Sequence, residues 1–416
     1  MNKLTDKKKI NALIFLCAVA YFISYLSRLN YAAVMAEFIA ESALPKATAV
    51  KPITAISITY GLGQLVSGYL GDRIKPRHII TGGFILTTIM NFIMPFAAPN
   101  IFLMTVTWAI NGFAQAMMWP PLVKILTTAL DRKTYDRATV LVSYGSSSGN
   151  IAVYLIAPAF ISLSAGWRSI FFFSSACAFA LIFIWNIAMN RFEKAGIPQP
   201  ELTHGKKQEN KGASGTSAVI HSLGFALPLI MLAIVAQGMI RDGVTSWMPT
   251  FIGETYNLGT SISILSGVIL PIFSIISFEI TSYIHHHWFK NELLCAGVIA
   301  LVAAACSLLL SLLLGLNAIV AILLSALIVA CMHGMNLILI CMLPASFGRF
   351  GNVSMVSGLL NFCTYIGSAI STYGMGKISD LFGWDAVILS WIIIAGAAAV
   401  CCIVCVSKWK KFKEEA

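Results

Sequence analysis

The chain of 416 residues is 58% hydrophobic and 11% charged, and 28 Lys and Arg outweigh 17 Asp and Glu to give a formal net charge of +11. A soluble domain carries about 25% charged residues, so this composition excludes an ordinary soluble protein and indicates a polytopic membrane protein. Apolar runs of about 20 residues recur along the chain, which favours bundled helices in a lipid bilayer over a barrel of short alternating strands.

In chain order, spans are predicted at 11–39, 52–70, 78–97, 101–128, 138–162 and 169–190, then at 219–252, 260–284, 292–314, 317–345, 351–377 and 385–406. The fold class is therefore all-α, with twelve transmembrane helices in two six-helix halves, 1–190 and 219–416. The polar, Gly- and Pro-containing stretch 191–218 between them reads as a linker. Most basic residues fall before the first span, after the even-numbered spans or at the end of the chain, as with Lys7, Arg73, Arg132, Lys194 and Lys410. By the positive-inside rule both termini are cytoplasmic in a multi-pass protein of the cytoplasmic membrane. The basic excess is then a topology signal and requires no nucleic acid. The ten cysteines lie inside apolar spans without ligand spacing and read as packing residues. The run His285-His286-His287 has no carboxylate or cysteine beside it and reads as a basic loop, so no metal is expected.

The first span carries Arg28 near its middle, within Tyr21–Met35. A charge at that depth costs on the order of 3 kcal/mol by insertion scales unless it faces a wet cavity or a partner. Tyr21, Tyr25 and Arg28, at spacings of four and three, share one helix face. The seventh span repeats the pattern with Arg241 in Gln237–Ile252, and the shift that places Arg28 on Arg241 also places Met35 on Met248 and Phe38 on Phe251. Ala138–Trp167 and Met355–Trp384 match in length, and both end in Gly-Trp. Two arginines at mid-span in related halves suggest an anion site. Asp242 is expected about 100° round the helix from Arg241, which leaves the pair of arginines with a net positive core. Glu279 lies late in the eighth span, and His333 in the tenth.

The loop Gly68-Tyr-Leu-Gly-Asp72-Arg73-Ile-Lys75-Pro-Arg77 resembles the acidic–basic signature of the major facilitator superfamily. That resemblance implies two halves related by an axis along the membrane normal. It also implies a gating loop of Asp72, Arg73 and Arg77, in which Asp72 pairs with basic or helix-end groups. Five further strings resemble the organophosphate:phosphate antiporter branch. They are Tyr25-Leu-Ser-Arg28-Leu-Asn30, Ser57-Ile-Thr-Tyr60-Gly61, Gly112-Phe-Ala-Gln115-Ala-Met-Met-Trp119-Pro-Pro121, Arg241-Asp-Gly243 with Trp247-Met-Pro249, and Asp380-Leu-Phe-Gly383-Trp384-Asp385.

This branch implies that Arg28 and Arg241 clamp a substrate phosphate, which suits a guanidinium that stays charged and offers a planar fork of donors. It places Tyr21, Tyr25, Tyr60, Gln115, Trp119 and Tyr365 on the cavity wall. The chain departs from the branch at Gln64, where the family has lysine, at Ser148, where it has histidine, and at His333, where it has tyrosine. Asp242, Glu279 and His333 are the candidate proton or charge-balancing groups. The implied activity is carriage of a small organic anion, a phosphate ester or phosphonate, in exchange for inorganic phosphate by alternating access. A proton-coupled symporter of an acid sugar or carboxylate, and a membrane sensor of a phosphorylated metabolite, stand as alternatives. No nucleophile elbow or phosphate loop is present to suggest an enzyme, no cofactor is implied, and the chain is expected to act as a monomer.

Overall fold

The computed structural model describes residues 3–42, 44, 46–49, 51–162, 166–196, 223–257, 260–350 and 353–414. Most of the expected linker, 197–218, lies outside the described residues. The helices are α1 (Lys7–Ser42), α2 (Lys46–Ala49), α3 (Lys51–Gly71), α4 (Pro76–Ala97), α5 (Ile101–Ala116), α6 (Trp119–Ala129), α7 (Arg132–Ser162) and α8 (Ser169–Lys194). They continue as α9 (Ala226–Tyr256), α10 (Thr260–His287), α11 (Glu292–Leu312), α12 (Ala318–Asn336) and α13 (Val353–Glu414). Among the described residues no strand occurs, and ten segments are long and apolar enough to cross a membrane.

Two compact units result: 1–206 with 351–359, and 207–350 with 360–416. In the first unit α1 packs along α7, α3 along α5 and α4 along α8. The contacts are close because small residues face backbone. A Cβ at Gly145 would meet the Ala18 carbonyl, one at Gly149 the Phe22 carbonyl, and one at Gly63 would come within 2.7 Å of Ala116 Cβ. These same glycines, serines and threonines make α3 less apolar than its neighbours. In the second unit α9 packs on α10 and α12, and Gly238 and Gly367 seat α9 against α13 through the Thr364 and Val235 carbonyls.

Helix ends follow from local chemistry. Asn100 accepts hydrogen bonds from the N–H groups of Phe102 and Leu103 at 3.1 and 3.2 Å, and Asn291 does the same for Leu293 and Leu294 at 3.0 and 3.1 Å. Several helices outrun the apolar spans expected for them, carrying basic residues into their terminal turns, as with Arg191 and Lys194 of α8. Lys3 donates to the Thr127 and Thr128 carbonyls at the end of α6, at 2.6 and 3.0 Å.

Three expected spans are interrupted. The fourth breaks between α5 and α6, where Pro120 and Pro121 open a new first turn at Trp119. The tenth widens to a π-turn over Leu337–Met342, with Leu343 N–H donating to the Ile338 carbonyl, ahead of Pro344, which has no N–H to give. The eleventh and twelfth form the single element α13, broken at Gly383, whose φ of 79° lies in the region glycine alone adopts freely.

Gly166 has the matching φ of 69°. Each Gly-Trp pair then makes the same bond: Trp167 Nε1 donates to Glu41 at 2.5 Å, and Trp384 Nε1 donates to Glu254 at 2.9 Å. The expected repeat is thus reproduced in side-chain detail. The three histidines of α10 each bond a backbone carbonyl through Nδ1, at 2.7–3.0 Å.

Candidate functional site

In the first unit the site is built on α1. Ser27, one residue before Arg28, offers its carbonyl to Asn91 Nδ2 from α4 and Asn111 Nδ2 from α5, both at 3.1 Å. Asn30 donates to Asn91 Oδ1 at 2.7 Å and to Ser174 at 3.1 Å. Three buried asparagines therefore fix the turn of α1 that carries Arg28, in surroundings where an unpaired amide would be expensive. Nothing in the spacing of these asparagines singles them out, and only Asn30 falls in a recognised string.

Arg28 lies across two aromatic faces, with Cζ 4.1 Å from the Tyr25 ring centroid and 4.6 Å from that of Tyr60. Such faces hold a cation without consuming all its N–H donors. Tyr21 joins the wall, 5.2 Å from Tyr25 and 5.2 Å from Trp119 between centroids. Trp119 is 2% exposed, and its indole N–H has no hydrogen-bond partner among the described residues. Gln115 lies behind this wall, accepting from Ser24 and donating to Thr87 at 3.2 Å. Tyr21, Tyr25, Arg28, Tyr60 and Trp119 are thus brought together.

Gln64 is fully buried, and its amide donates weakly to the Ala116 carbonyl at 3.4 Å. A lysine there would bury an ammonium between α3 and α5. Ser148 is exposed on α7, one position before the glycine that packs on Phe22.

In the second unit Arg241 and Asp242 do not point apart as helix geometry suggests. Arg241 Nε and a terminal nitrogen bond the two Asp242 oxygens at 2.7 and 2.9 Å, because the long arginine folds back along α9. The expectation that Arg241 keeps its charge uncompensated is corrected by this pair. Ser368 hydrogen-bonds Asp242, and His333 lies within electrostatic range of both charges. His333 also meets Phe278 edge to face at 5.9 Å. Tyr365, three residues before Ser368, shares its face of α13 and is half-buried. Glu279, next to Phe278, is exposed and turned away from this cluster.

The loop residues separate. Asp72 Oδ1 lies 3.0 Å from the buried Lys124 Nζ, and its two oxygens accept from the N–H groups of Ser354 and Met355 at 3.3 and 2.8 Å. It therefore meets both a basic group and a helix end, as expected of the loop; Lys124 was not foreseen. Burial raises the Asp72 carboxyl above the usual carboxylate range, against the opposing pull of Lys124 and the two N–H groups. Arg73 stacks on Tyr69 at 3.5 Å, and Arg77 bonds Asn186 at 3.1 Å and Glu193 at 3.3 Å on α8.

The sequence profile of the Major Facilitator Superfamily matches residues 17–372. The glycerol-3-phosphate transporter of Bacillus subtilis is 26% identical over 296 residues, 68% of this chain and 66% of that protein. The membrane sensor protein UhpC of Salmonella typhimurium is 23% identical over 61% of this chain and 60% of its own length. A probable hexose phosphate transport protein of Chlamydia pneumoniae is 25% identical over 57% and 56%. The matched stretch thus spans less than two thirds of each relative. Among solved structures, the transporter FucP superposes with a TM-score of 0.72 at 14% identity, over 97% of this chain and 99% of FucP. The proton:xylose symporter XylE gives 0.72 at 15%, over 96% and 95%. At these identities the likeness concerns the fold.

Proposed function

The chain belongs to the major facilitator superfamily, and from that premise we propose that it carries a small phosphorylated organic anion, a phosphate ester or phosphonate, across the cytoplasmic membrane by alternating access. The observation that supports this most is the wall around Arg28. A guanidinium spread over Tyr25 and Tyr60 stands with the unpartnered indole N–H of Trp119 on the Tyr21 side. Buried donors without acceptors suit an oxyanion, which brings only acceptors. Arg28 and Arg241 are the binding cations in this reading, and inorganic phosphate competes for the same donors. The printed names of the relatives support the substrate class.

The test is uptake of radiolabelled glycerol 3-phosphate and glucose 6-phosphate into vesicles containing the purified protein. Saturable uptake that inorganic phosphate inhibits, and that Arg28→Lys abolishes while the protein stays folded, is the expected result. Normal uptake by Arg28→Lys would show that Arg28 is structural. Because one relative is a membrane sensor, a second reading exists, in which the esters bind and raise the unfolding temperature but do not enter the vesicles.

A further inference from the structure

The pairing of Arg241 with its own neighbour bears on how the carrier handles an empty site. Adjacent residues on a helix do not face each other. This pair forms because the arginine side chain bends back, so it can be undone by side-chain rotation alone, without moving α9. The backbone of α9 is held on both sides of the pair: Gly238 packs on the Thr364 carbonyl and Gly243 on Met375. Two parallel bonds at 2.7 and 2.9 Å reproduce the bidentate geometry that two oxygens of a phosphate would adopt on the same fork. Arg241 and Asp242 retain 13% and 25% of their side-chain exposure, so an incoming anion can reach them. A receiver for the displaced carboxylate is in place, since Ser368 already bonds Asp242 and the His333 imidazole lies nearby.

We propose that Asp242 is a resident stand-in for the substrate: its carboxylate occupies the Arg241 fork in the empty carrier, yields it to the carried oxyanion, and so removes the need for an obligatory counter-anion. The proposal rests on Arg241 being a substrate-binding cation, as above. A bare guanidinium in a low-dielectric site resists closure until an anion neutralises it. With Asp242 in the fork, the empty site is already neutral at Arg241 and can reorient. The same device weakens apparent affinity, because the fork is open to substrate for only part of the time.

The experiment compares uptake of labelled glycerol 3-phosphate and glucose 6-phosphate into empty vesicles and into vesicles preloaded with the same ester or with inorganic phosphate. Wild type is expected to fill empty vesicles at a rate comparable to preloaded ones. Asp242→Asn, similar in shape but uncharged, leaves the fork open. It should lower KM roughly tenfold if the fork is otherwise open about a tenth of the time, and make uptake depend on preloading. Wild-type uptake that already requires preloading overturns the proposal, whatever the variant does. So does a folded Asp242→Asn protein that transports nothing, or one with unchanged KM and unchanged dependence on preloading. Wild type that takes up neither ester overturns the functional reading and this inference together, whereas an inert substitution in a working carrier overturns the inference alone.

Discussion

Arg28 announces itself because a charge in an apolar run demands a reason. What holds it does not. An asparagine inside an apolar run carries no mark of its partner, so the bonds from Asn91 and Asn111 to the Ser27 carbonyl appear only once α4 and α5 are packed on α1. Asn91→Ala removes one of these donors and the acceptor for Asn30. It is expected to lower stability by about 1–2 kcal/mol, read as a lower unfolding midpoint in detergent, with weaker uptake because the turn carrying Arg28 loosens. Arg28→Lys keeps the charge and loses the stacked fork, and forfeiting one charge-assisted bond predicts a loss of about 10- to 100-fold in kcat/KM. The Arg241–Asp242 pair shows the opposite limit of sequence reading. Ideal helix geometry sends adjacent side chains apart, and it says nothing of a long side chain that bends back.

Between elements, close approach decides what can be tied to what. Gly68, Gly71 and Gly358 let α3 lie against residues 353–359, and a Cβ at Gly358 would meet the Gln64 carbonyl. Gly358→Val should therefore push this segment off α3 and strip Asp72 of its two N–H partners, as Asp72→Asn weakens them directly. Both variants are expected to speed alkylation of a cysteine placed at Ser354, with the Asp72 change the milder. An unaltered rate in Gly358→Val would show that the contact carries no load.

The Glu41 bond can be tested by acid. Its hydrogen bonds with Arg168 and then Trp167 hold the carboxyl below the usual range, against a small opposing effect of burial. A carboxyl depressed in the folded protein stabilises it above the unfolded value and loses that contribution as pH falls through the folded one. The indole N–H of Trp167 should accordingly exchange faster with solvent below about pH 4, and Glu41→Gln should flatten that dependence. The loop motif made Asp72 legible as a pairing group, while Lys124, buried on α6, gave no sign in a stretch that reads as apolar span.

At the scale of the whole chain, the twelve-helix plan was legible from apolar length and from the alternation of basic loops, because lipid leaves a spanning backbone few choices. Length and composition alone pick out ten of the segments. α3 falls short because its glycines and hydroxyl residues serve packing against α5. The grouping of 351–359 with the first unit was not legible, since it depends on contacts with α3 that no repeat in the sequence encodes. The positive-inside argument predicts that single cysteines beside Lys3 and Lys413 react with an impermeant maleimide only after the membrane is opened. Labelling of either in sealed right-side-out vesicles would reverse the proposed orientation.

The twin indole–carboxylate bonds have one more consequence. Glu41 and Trp167 are 126 positions apart, Glu254 and Trp384 130. The difference of four is close to one full revolution of an α-helix, a change that restores angular phase instead of scrambling it. Since the two copies diverged, drift in length has therefore been filtered by periodicity. Engineered insertions of three or four residues between the partners should be tolerated where insertions of two are not.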